Sequence, residues 1–541
     1  MKVLVADKLA EEGLELLRAS GAEFDVRVGL KEAELAEAVA NGGYEALIVR
    51  SGAKVTAKVL ENPGALRAIA RAGVGVDNID LDVATAKGVL VLNTAEASTL
   101  STAEHAVALL MSLARKIPQA HAHVRSGGWK RNDYQGTQLA GKTAGVVGLG
   151  RIGRTVASRL LALEMTVIGF DPYFAGDTAM DGKVRIVRDF DEFLRQIDVI
   201  TFHVPGGEGT KHLLNRERLF NVARKSLMVV NDARGEVLDE IALADALKEK
   251  RIHGAAIDVY AAEPPAKDHP LFALDNVVLT PHLGASTDEA QTAVSVEACR
   301  AIVGYLSRGE IRGAVNAGGL RLDLPADERP FADLAGRMGA LLSALCEGAV
   351  KTITVRASGT KAPKLLSTMI RLTTVELLRP NVEAGINVIN VEMIARGRGI
   401  DMVTVHEPSP PQGMVGDIVS IRVELQGGGG HRILGTVYAD GLPRVLRIDG
   451  FTMDMVPEGQ MVLIVNKDQP GVIGLVGTSF GDAGVNIADM VISRDFAPDG
   501  SATAVMVLKV DSAPPEALVN RLKARPNILR VRSVVLPPRG R

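Results

Sequence analysis

The length, composition and charge of the chain exclude several classes of protein. Its 541 residues are more than one hydrophobic core usually serves, so several domains are expected. Hydrophobic residues make up 47% and charged residues 23%, which is ordinary for a globular protein, and a formal net charge of -2 gives no support for a nucleic-acid partner.

The cysteine count and the hydropathy indicate the cellular compartment of the protein. Cys299 and Cys346 cannot form a disulfide framework, and so low a count is typical of a reducing compartment. No apolar run reaches the roughly 18 residues of a membrane span. The strand-like run Val3–Val5 stands where a signal peptide would show a basic start and an apolar core. We therefore expect a cytoplasmic protein with no membrane partner.

The first 95 residues alternate β-rich runs with helical patterns. Helical periodicity is seen, for example, over Glu11–Ala19 and Glu32–Ala40. Alternation of this kind predicts a parallel sheet covered on both faces. The strands are expected at Lys2–Ala6, Phe24–Val28, Ala46–Val49, Leu66–Ala70 and Val89–Leu92.

A second alternating block follows a long helical pattern. Thr102–Val124 is expected to form one helix, because Ala106, Leu109 and Leu113 recur on one face. Six strands then predict a doubly wound sheet, and a helix at about Asp288–Arg308 leads out of it. The six strands are Ala144–Val147, Thr166–Phe170, Val199–Phe202, Leu227–Val230, Ala255–Val259 and Val277–Thr280.

The composition changes beyond this block. Asn316–Pro330 is rich in Gly, Asp and Pro and is interpreted as a linker. In the third region, 331–450, no helix follows the Gly427–Gly430 run, which therefore predicts a hairpin turn and not a phosphate-binding loop. The β-α-β-β-α-β order over 455–541 predicts a small ferredoxin-like module.

A dinucleotide-binding signature lies at Gly148–Gly153, between a predicted strand and a predicted helix. Gly148 would form the turn, Gly150 would let the backbone approach a pyrophosphate, and Gly153 would let helix and strand pack closely. The helix N-terminus would offer its free N–H groups to the phosphates. Asp171 ends the next strand, where a carboxylate accepts from ribose hydroxyls and repels an extra phosphate. The sequence therefore predicts NAD and not NADP as the cofactor.

Three candidate catalytic residues stand just past consecutive strands of this block, namely Arg234, Glu263 and His282. Oxidation of a hydroxy acid needs a base for the hydroxyl proton, and histidine titrates near neutrality. It also needs a cation for the carboxylate, which an arginine fork binds well. A glutamate paired with the histidine orients the base.

Each of these three residues also has a purely structural interpretation. An isolated arginine or glutamate after a strand is usually part of a surface ion pair, and an isolated histidine is more often structural. Their occurrence together, at consecutive strand ends downstream of a nucleotide loop, favours catalysis.

Four segments resemble the D-isomer-specific 2-hydroxyacid dehydrogenase family: Gly145–Gly153, Val230–Glu240, Ala256–Pro264 and Leu279–Thr287. The whole layout is similar to the long members of that family, which carry an extra domain and a C-terminal ACT domain. The resemblance implies an α/β fold with two Rossmann-like doubly wound domains, an α+β intervening domain and a ferredoxin-like ACT domain. The implied division is 1–97 with 286–316 for substrate, 98–285 for NAD, 317–454 intervening and 455–541 regulatory.

The resemblance also implies an activity. Long members of the family oxidise D-3-phosphoglycerate to 3-phosphohydroxypyruvate with NAD, the first step of serine biosynthesis, so we expect this reaction, no metal, and a homodimer or homotetramer. Serine is the expected effector. One alternative is another D-2-hydroxyacid or hydroxypyruvate/glyoxylate dehydrogenase; another is a catalytically inactive amino-acid sensor. Glu263 argues against formate dehydrogenase, a relative that has glutamine there.

Matching the family's motifs to this sequence implies further site residues. The cofactor contacts would be Arg151 and Ile152 at the pyrophosphate, Asp171 at the ribose, and Val204, Asp232, Ala233, Asp258 and Gly284 around the nicotinamide. The substrate contacts would be Arg50, Ser51 and Gly52 at the phosphate and the loop Arg71–Asn78, with Val74, Gly75 and Asn78. The effector contacts would be Asn466, Asp468 and Asn486.

The sequence departs from the family at two places. Gly206–Gly209 replaces a loop that usually bears a threonine, and Ser98 stands where asparagine is frequent, so neither is given a contact. His105, His121 and His123 match no chemistry of the family and are interpreted as helix-surface residues.

Overall fold

A computed structural model describes residues 1–382, 385–496 and 502–537, which form four β-sheets. The first sheet is parallel, with strand order β2-β1-β3-β4-β5. Its strands are β1 (Lys2–Val5), β2 (Glu23–Val26), β3 (Ala46–Val49), β4 (Ala68–Arg71) and β5 (Leu90–Asn93), connected in part by α1 (Glu11–Ala19), α2 (Glu32–Asn41) and α3 (Leu81–Ala86).

The second sheet has the order β13-β12-β11-β10-β6-β7-β9-β8, and its strands are parallel except for the pairing of β8 with β9. The strands are β6 (Thr143–Val147), β7 (Thr166–Phe170), β8 (Thr178–Ala179), β9 (Val184–Ile186), β10 (Val199–Phe202), β11 (Met228–Asn231), β12 (Gly254–Ile257) and β13 (Val277–Leu279). Its helices are α4 (Thr99–Ala114), α5 (Ile117–Arg125), α6 (Arg151–Ala162), α7 (Phe190–Gln196) and α8 (Glu240–Lys248).

Both sheets confirm the predicted α/β class, and the predicted strands differ from the observed ones mainly at their ends. The short strands β8 and β9 were not predicted. The next helix, α9 (Asp288–Arg308), has the predicted bounds and packs against α1 and β4 of the first sheet.

The prediction of one helix over Thr102–Val124 is wrong. The chain forms α4 and α5, because Lys116 between them adopts a left-handed φ of 51° and Pro118 stands in the first turn of α5. A proline in the first turn needs no amide partner, whereas inside one continuous helix Pro118 would lose a hydrogen bond and clash with the carbonyl of Ala114. The apolar periodicity therefore continues across the boundary between two separate helices.

The third sheet has the order β15-β14-β16-β17-β18-β19. Its elements are α10 (Arg329–Leu345), β14 (Val350–Ser358), α11 (Leu366–Leu378), α12 (Val391–Gly397), β15 (Asp401–His406), β16 (Ile418–Leu425), β17 (Gly430–Val437), β18 (Pro443–Ile448) and β19 (Phe451–Met455). The antiparallel pairing of β16 with β17 confirms the hairpin predicted at the glycine run. The predicted linker is packed, with Leu320 and Leu324 buried.

The fourth sheet is antiparallel with the order β21-β22-β20-β23, as expected for a ferredoxin-like module. Its elements are β20 (Gly459–Lys467), α13 (Val472–Asp482), β21 (Ile487–Phe496), β22 (Ala502–Val510), α14 (Glu516–Lys523) and β23 (Ile528–Leu536). Met461 and Leu463 join the core of the third sheet, whereas Val462 and Ile464 face α13 and α14.

The alternation along β20 therefore buries both faces of the fourth sheet, one of them against the third. The division of the chain into four domains at the stated boundaries remains a prediction. Among the residues described, no helix is both long and apolar enough to cross a membrane. Cys299 and Cys346 are free thiols.

Candidate active site

The predicted cofactor-binding and catalytic residues gather at the carboxyl edge of the second sheet. β6 lies between β7 and β10, so the chain winds in opposite directions from this point. In open parallel sheets the crevice at such a switch point binds ligands. Strands β10, β11, β12 and β13 all run parallel to β6, and their carboxyl ends open onto the same crevice.

The glycine loop between β6 and α6 fits a dinucleotide. Gly148 has a φ of 86°, and a Cβ there would lie 2.5 Å from the carbonyl oxygen of His203. A Cβ on Gly153 would overlap the carbonyl of Gly148, whereas one on Gly150 would meet nothing within 4 Å. The first and third glycines are thus needed for packing, and the second leaves open space at the N-terminus of α6 for a pyrophosphate.

Asp171 is held against this loop. Its Oδ2 accepts from the amide of Leu149 at 2.9 Å, and its Oδ1 accepts from the amide of Tyr173 at 3.0 Å. Arg151 forms an ion pair with Glu96, which precedes α4. The carboxylate is therefore fixed beside the glycine loop, although its contact with ribose remains a prediction.

The structure brings His282 and Glu263 together. Nδ1 of His282 lies 2.7 Å from Oε2 of Glu263, and both side chains are more than one third exposed, as a substrate contact requires. His282 adopts a left-handed φ of 57°, and its amide donates to the carbonyl of Asp258 at 2.8 Å. Left-handed backbone is costly for a residue with a Cβ, so the surrounding contacts must hold His282 in this conformation.

Asp258 holds the loop that carries His282. Its Oδ1 accepts from Thr280 Oγ1 at 2.6 Å and from the Leu283 amide at 2.8 Å, and its Oδ2 accepts from the Gly284 amide at 2.9 Å. Burial alone would raise the pKa of Asp258, but hydrogen bonds from His105, Thr280 and Leu283 outweigh it and lower the pKa to about 2. The structure therefore gives this carboxylate a positioning role, and its predicted contact with the cofactor remains a prediction.

His105 was wrongly interpreted as a surface residue. Its side chain is 19% exposed, and Nε2 lies 3.2 Å from Oδ1 of Asp258. The hydrogen bond to Asp258 raises the pKa of His105 against the opposing effect of burial. His121 and His123 lie on α5, which buries none of its residues.

Arg234 faces the substrate loop of the first sheet. Its Nη1 donates to the carbonyl of Ala233 at 2.7 Å, and its Nη2 lies 3.1 Å from Oδ2 of Asp77. Its Nε is buried without a hydrogen-bond partner among the described residues. A Cβ on Gly75 would overlap the guanidinium, so the absence of a side chain at Gly75 leaves room for Arg234.

The predicted phosphate loop is tied down by Asp7, which sequence reasoning missed. Oδ2 of Asp7 accepts from the amides of Arg50 at 2.6 Å and Ala53 at 3.0 Å, and a Cβ on Gly52 would overlap Oδ1. Asn78 donates to the carbonyls of Arg50 and Ala53, at 2.7 Å each. Asn78 therefore shapes the loop, and its contact with substrate remains a prediction.

Arg71 begins the predicted substrate loop, although no individual contact was predicted for it. It ends β4, and its Nε is buried without a partner among the residues described. Burial and the nearby charges of Arg234 and Arg50 lower the pKa of Arg71 to about 10, against the attraction of Asp77 and Asp7. Three arginines therefore converge on one cleft, as an anionic ligand would require. The position of Arg71 at a strand end was the signal for it in the sequence.

The other predicted contacts follow strands of the first two sheets. His203 and Val204 follow β10, and Ala233 follows Asp232 after β11. Ser51 lies in the Arg50 loop, and the carbonyl of Val74 accepts from Asn93 at 2.7 Å. Ile152 belongs to the first turn of α6.

The three predicted effector residues lie in the fourth sheet and its turns. Asn466 is 2% exposed, and its Oδ1 has no partner among the described residues, although its Nδ2 donates to the carbonyl of Lys467. Oδ2 of Asp468 lies 3.3 Å from Nε of Arg494, and Asn486 donates to Asp511 at 2.8 Å. Whether these residues bind an effector remains a prediction.

Chemically, the cleft combines a nucleotide loop, a paired histidine and a cationic pocket. The histidine can exchange a proton, and the arginines can hold a substrate with two anionic groups. No group of three or more His, Cys, Asp or Glu that could hold a metal was found in the part of the chain that the structure describes.

Comparison with known proteins identifies the parts of the chain. Residues 107–284 match the D-isomer specific 2-hydroxyacid dehydrogenase NAD binding domain, 328–449 match the D-3-phosphoglycerate dehydrogenase intervening domain, and 460–527 match the ACT domain. The NAD prediction for the cofactor is thereby supported by the family of the nucleotide-binding region.

Full-length relatives share the same layout. D-3-phosphoglycerate dehydrogenase from Archaeoglobus fulgidus is 40% identical over 527 residues, covering 97% of this chain and 98% of the relative. The enzyme of that name from Methanocaldococcus jannaschii is 39% identical over 529 residues, covering 98% of each.

Solved structures resemble the first two sheets. The TT0316 protein from Thermus thermophilus is 34% identical, with a TM-score of 0.53 over 58% of this chain and 100% of that one. The apo-structure of D-lactate dehydrogenase from Escherichia coli is 28% identical, with a TM-score of 0.51 over the same shares. The chain is an NAD-dependent dehydrogenase and belongs to the D-3-phosphoglycerate dehydrogenase family of D-isomer-specific 2-hydroxyacid dehydrogenases.

Proposed function

We propose that this enzyme oxidises D-3-phosphoglycerate to 3-phosphohydroxypyruvate with NAD, the first step of serine biosynthesis. The observation that carries the proposal is the cleft in which the His282–Glu263 pair accompanies three convergent arginines. A substrate with a carboxylate at one end and a phosphate at the other fits such a pocket. The names of the full-length relatives support the same substrate.

His282 acts as the base in this proposal. Glu263 accepts from Nδ1, which fixes the ring and leaves Nε2 to take the hydroxyl proton. NAD, when bound, would accept the hydride. The carboxylate of Glu263 then stabilises the imidazolium that forms, because the two groups stay in contact.

Different arginines bind the two anionic groups of the substrate. Arg234 follows β11, at the same edge of the sheet as His282, and binds the carboxylate and the carbonyl that forms. Arg50 and Arg71 lie on the first sheet and bind the phosphate. Asp77 pairs with Arg234 at 3.1 Å and is 70% exposed, so substrate displaces a weak, solvent-screened ion pair.

The test measures NAD reduction with D-3-phosphoglycerate and with D-glycerate, which lacks the phosphate. We expect activity with the first substrate far above that with the second. His282→Gln should lower kcat by roughly two to four orders of magnitude, as loss of a general base typically does, while calorimetry shows NAD still bound. Near-normal turnover of that variant would contradict the role of His282.

The phosphate contact needs its own variant. Arg50→Ala should raise KM for D-3-phosphoglycerate and leave the affinity for NAD unchanged, because the Arg50 loop belongs to the first sheet. Equal losses with D-3-phosphoglycerate and D-glycerate would show that Arg50 does not bind the phosphate. A dehydrogenase of another 2-hydroxy acid would prefer the unphosphorylated substrate in the wild type.

Serine is the proposed effector of the ACT domain. Asp468 would take the ammonium group, the free amides at the start of α13 would take the carboxylate, and Asn486 would bridge to the ligand. The unpartnered, buried Oδ1 of Asn466 beside this turn supports a polar ligand there. If serine does not bind the full-length protein, the domain has a structural role only.

We also propose that the enzyme forms a homodimer or homotetramer in the cytoplasm. Ile117 and Val124 on α5 are 51% and 53% exposed, and Trp129 just beyond is 76% exposed. Large apolar side chains exposed together support a subunit interface. Light scattering of the wild type and of Trp129→Asp tests this, and an unchanged mass would place the interface elsewhere.

A further inference from the structure

One buried carboxylate, that of the predicted cofactor contact Asp232, takes no part in the proton transfer or the substrate binding proposed above. The side chain of Asp232, just past β11, is fully buried. Neither of its oxygens has a hydrogen-bond partner among the residues that the structure describes. Buried polar atoms are almost always paired, because an uncompensated buried charge costs several kcal/mol. A buried carboxyl group without a partner therefore either holds a proton or needs a compensating charge, which a ligand can bring.

The protein does not supply that charge. Nδ1 of His203 lies 3.6 Å from Oδ1 of Asp232, and Thr201 Oγ1 lies 2.9 Å from Nε2 of the same ring. Burial lowers the pKa of His203 to about 3, so the ring is neutral near pH 7. The other charged groups that face Asp232 are Asp258, after β12, and His105, on α4.

These neighbours oppose ionisation of Asp232 overall. Burial, followed by the charge of Asp258, raises the pKa of Asp232 to about 7, and His105 offsets this only in part. His105 is itself within 3.2 Å of Asp258, so its charge is mainly directed to that carboxylate. Asp232 thus titrates close to neutrality in the protein alone.

The nicotinamide half of the crevice is the half that contains Asp232. Asp171 after β7 is predicted to hold the adenosine end, so the residues that follow β10, β11 and β12 would hold the nicotinamide end. Hydride transfer requires the ring near His282 and Arg234. Ala233 joins Arg234 to Asp232 along the chain and is itself only 9% exposed. This placement of the ring rests on the proposed function.

We propose that the buried carboxylate of Asp232, when ionised, is a counter-charge that makes the site prefer the cationic, oxidised nicotinamide over the neutral, reduced one. Only the oxidised ring carries a positive charge, and a buried charge pair is screened far less than an exposed one. Asp232 is therefore a specificity-determining residue for the redox state of the cofactor. When the ring becomes neutral, the carboxylate again lacks a counter-charge, which favours release of NADH.

The test is calorimetric titration of the wild-type enzyme and of Asp232→Asn with NAD and with NADH, at about pH 6 and about pH 8.5. In the wild type, the ratio of the Kd for NADH to the Kd for NAD should rise roughly tenfold with pH, because Asp232 ionises across this window. In Asp232→Asn the ratio should stay constant, and NAD should bind roughly tenfold more weakly than to the wild type at the higher pH. Asp198→Asn is the control, since it removes a carboxylate at the opposite, amino end of the same sheet.

Two further variants make the outcome decisive. Asp232→Ala replaces Asp232→Asn if the amide does not fold. His105 is a second group that can titrate in this window, because Asp258 raises its pKa. His105→Gln removes this group and so shows which part of the pH dependence comes from Asp232. A pH-dependent ratio that survives in Asp232→Asn and disappears in His105→Gln overturns the proposal. If neither nucleotide binds the wild type, the cofactor placement fails and this proposal with it; if both bind and the ratio never responds, only this proposal fails.

Discussion

Gly75→Ala tests the proposed arrangement of the substrate cleft with a single methyl group. The new Cβ would overlap Nη2 of Arg234 and would lie 2.6 Å from Oδ2 of Asp77. Both atoms are the far ends of flexible side chains, so they move away without disturbing the backbone. The substitution therefore leaves the fold intact and displaces the guanidinium that is proposed to bind the substrate carboxylate.

The size of the effect follows from the bonds at stake. A hydrogen bond to a charged group contributes about 1.5–3 kcal/mol, so a two-bond arginine fork contributes about 3–6 kcal/mol. Each 1.4 kcal/mol is a factor of ten, which bounds the loss in kcat/KM at about 10²–10⁴. Because Arg234 is displaced and not removed, we expect the lower end, about a hundredfold.

The assay is steady-state kinetics with D-3-phosphoglycerate, accompanied by NAD calorimetry and thermal unfolding. The Kd for NAD and the unfolding midpoint should not change, since the glycine loop of the nucleotide site is untouched. Gly318→Ala is the matched control, because a Cβ there meets nothing within 4 Å. A Gly75→Ala enzyme with wild-type kcat/KM would refute the assignment of Arg234 to the carboxylate.

Three other predictions test the cofactor, the effector and a buried charge. Asp171→Ala should weaken NAD and narrow its advantage over NADP in kinetics; an unchanged preference would place the ribose elsewhere. Millimolar or lower serine should inhibit the wild type, and Asp468→Ala should lose inhibition but keep turnover, whereas Asp482→Ala, exposed on α13, should behave as wild type. Asp232→Asn should unfold at a higher temperature than the wild type at pH 8 but not at pH 4. Folding raises the pKa of this carboxyl from 3.8 to about 7, so its ionisation destabilises the wild type progressively across that window, by up to about 4 kcal/mol. Equal unfolding midpoints at pH 8 would contradict this.

The parts of the fold that local patterns specify were predictable. The glycine signature was reliable because its first and third glycines meet short-range constraints, such as the overlap that a Cβ on Gly153 would make with the carbonyl of Gly148. The bounds of α9 were predictable because Thr287 caps its first turn and Gly309 ends it in a left-handed conformation. The break at Lys116 was missed because apolar periodicity continues across it, although Pro118 marked a helix start.

The site was predictable only where residues follow strands. Arg234, Glu263 and His282 could be placed in one cleft because the carboxyl ends of parallel strands share an edge. The partners of His105 and Arg71 could not be inferred, since they come from elements far along the chain. His105 stands on a helix with ordinary periodicity, and only its approach to Asp258 distinguishes it from a surface histidine.

Unsatisfied buried atoms carry information that no sequence pattern contains. Nε of Arg71, Nε of Arg234 and both oxygens of Asp232 lack partners in the described structure, and all three residues border the cleft. Oδ1 of Asn466 is unpaired in the turn proposed to bind serine. Folding normally eliminates such atoms, because each costs about 1–3 kcal/mol. At the proposed sites the missing hydrogen bonds and charges would come from the ligand, whereas similar unpaired atoms of Gln119 and Ser358 lie on α5 and β14.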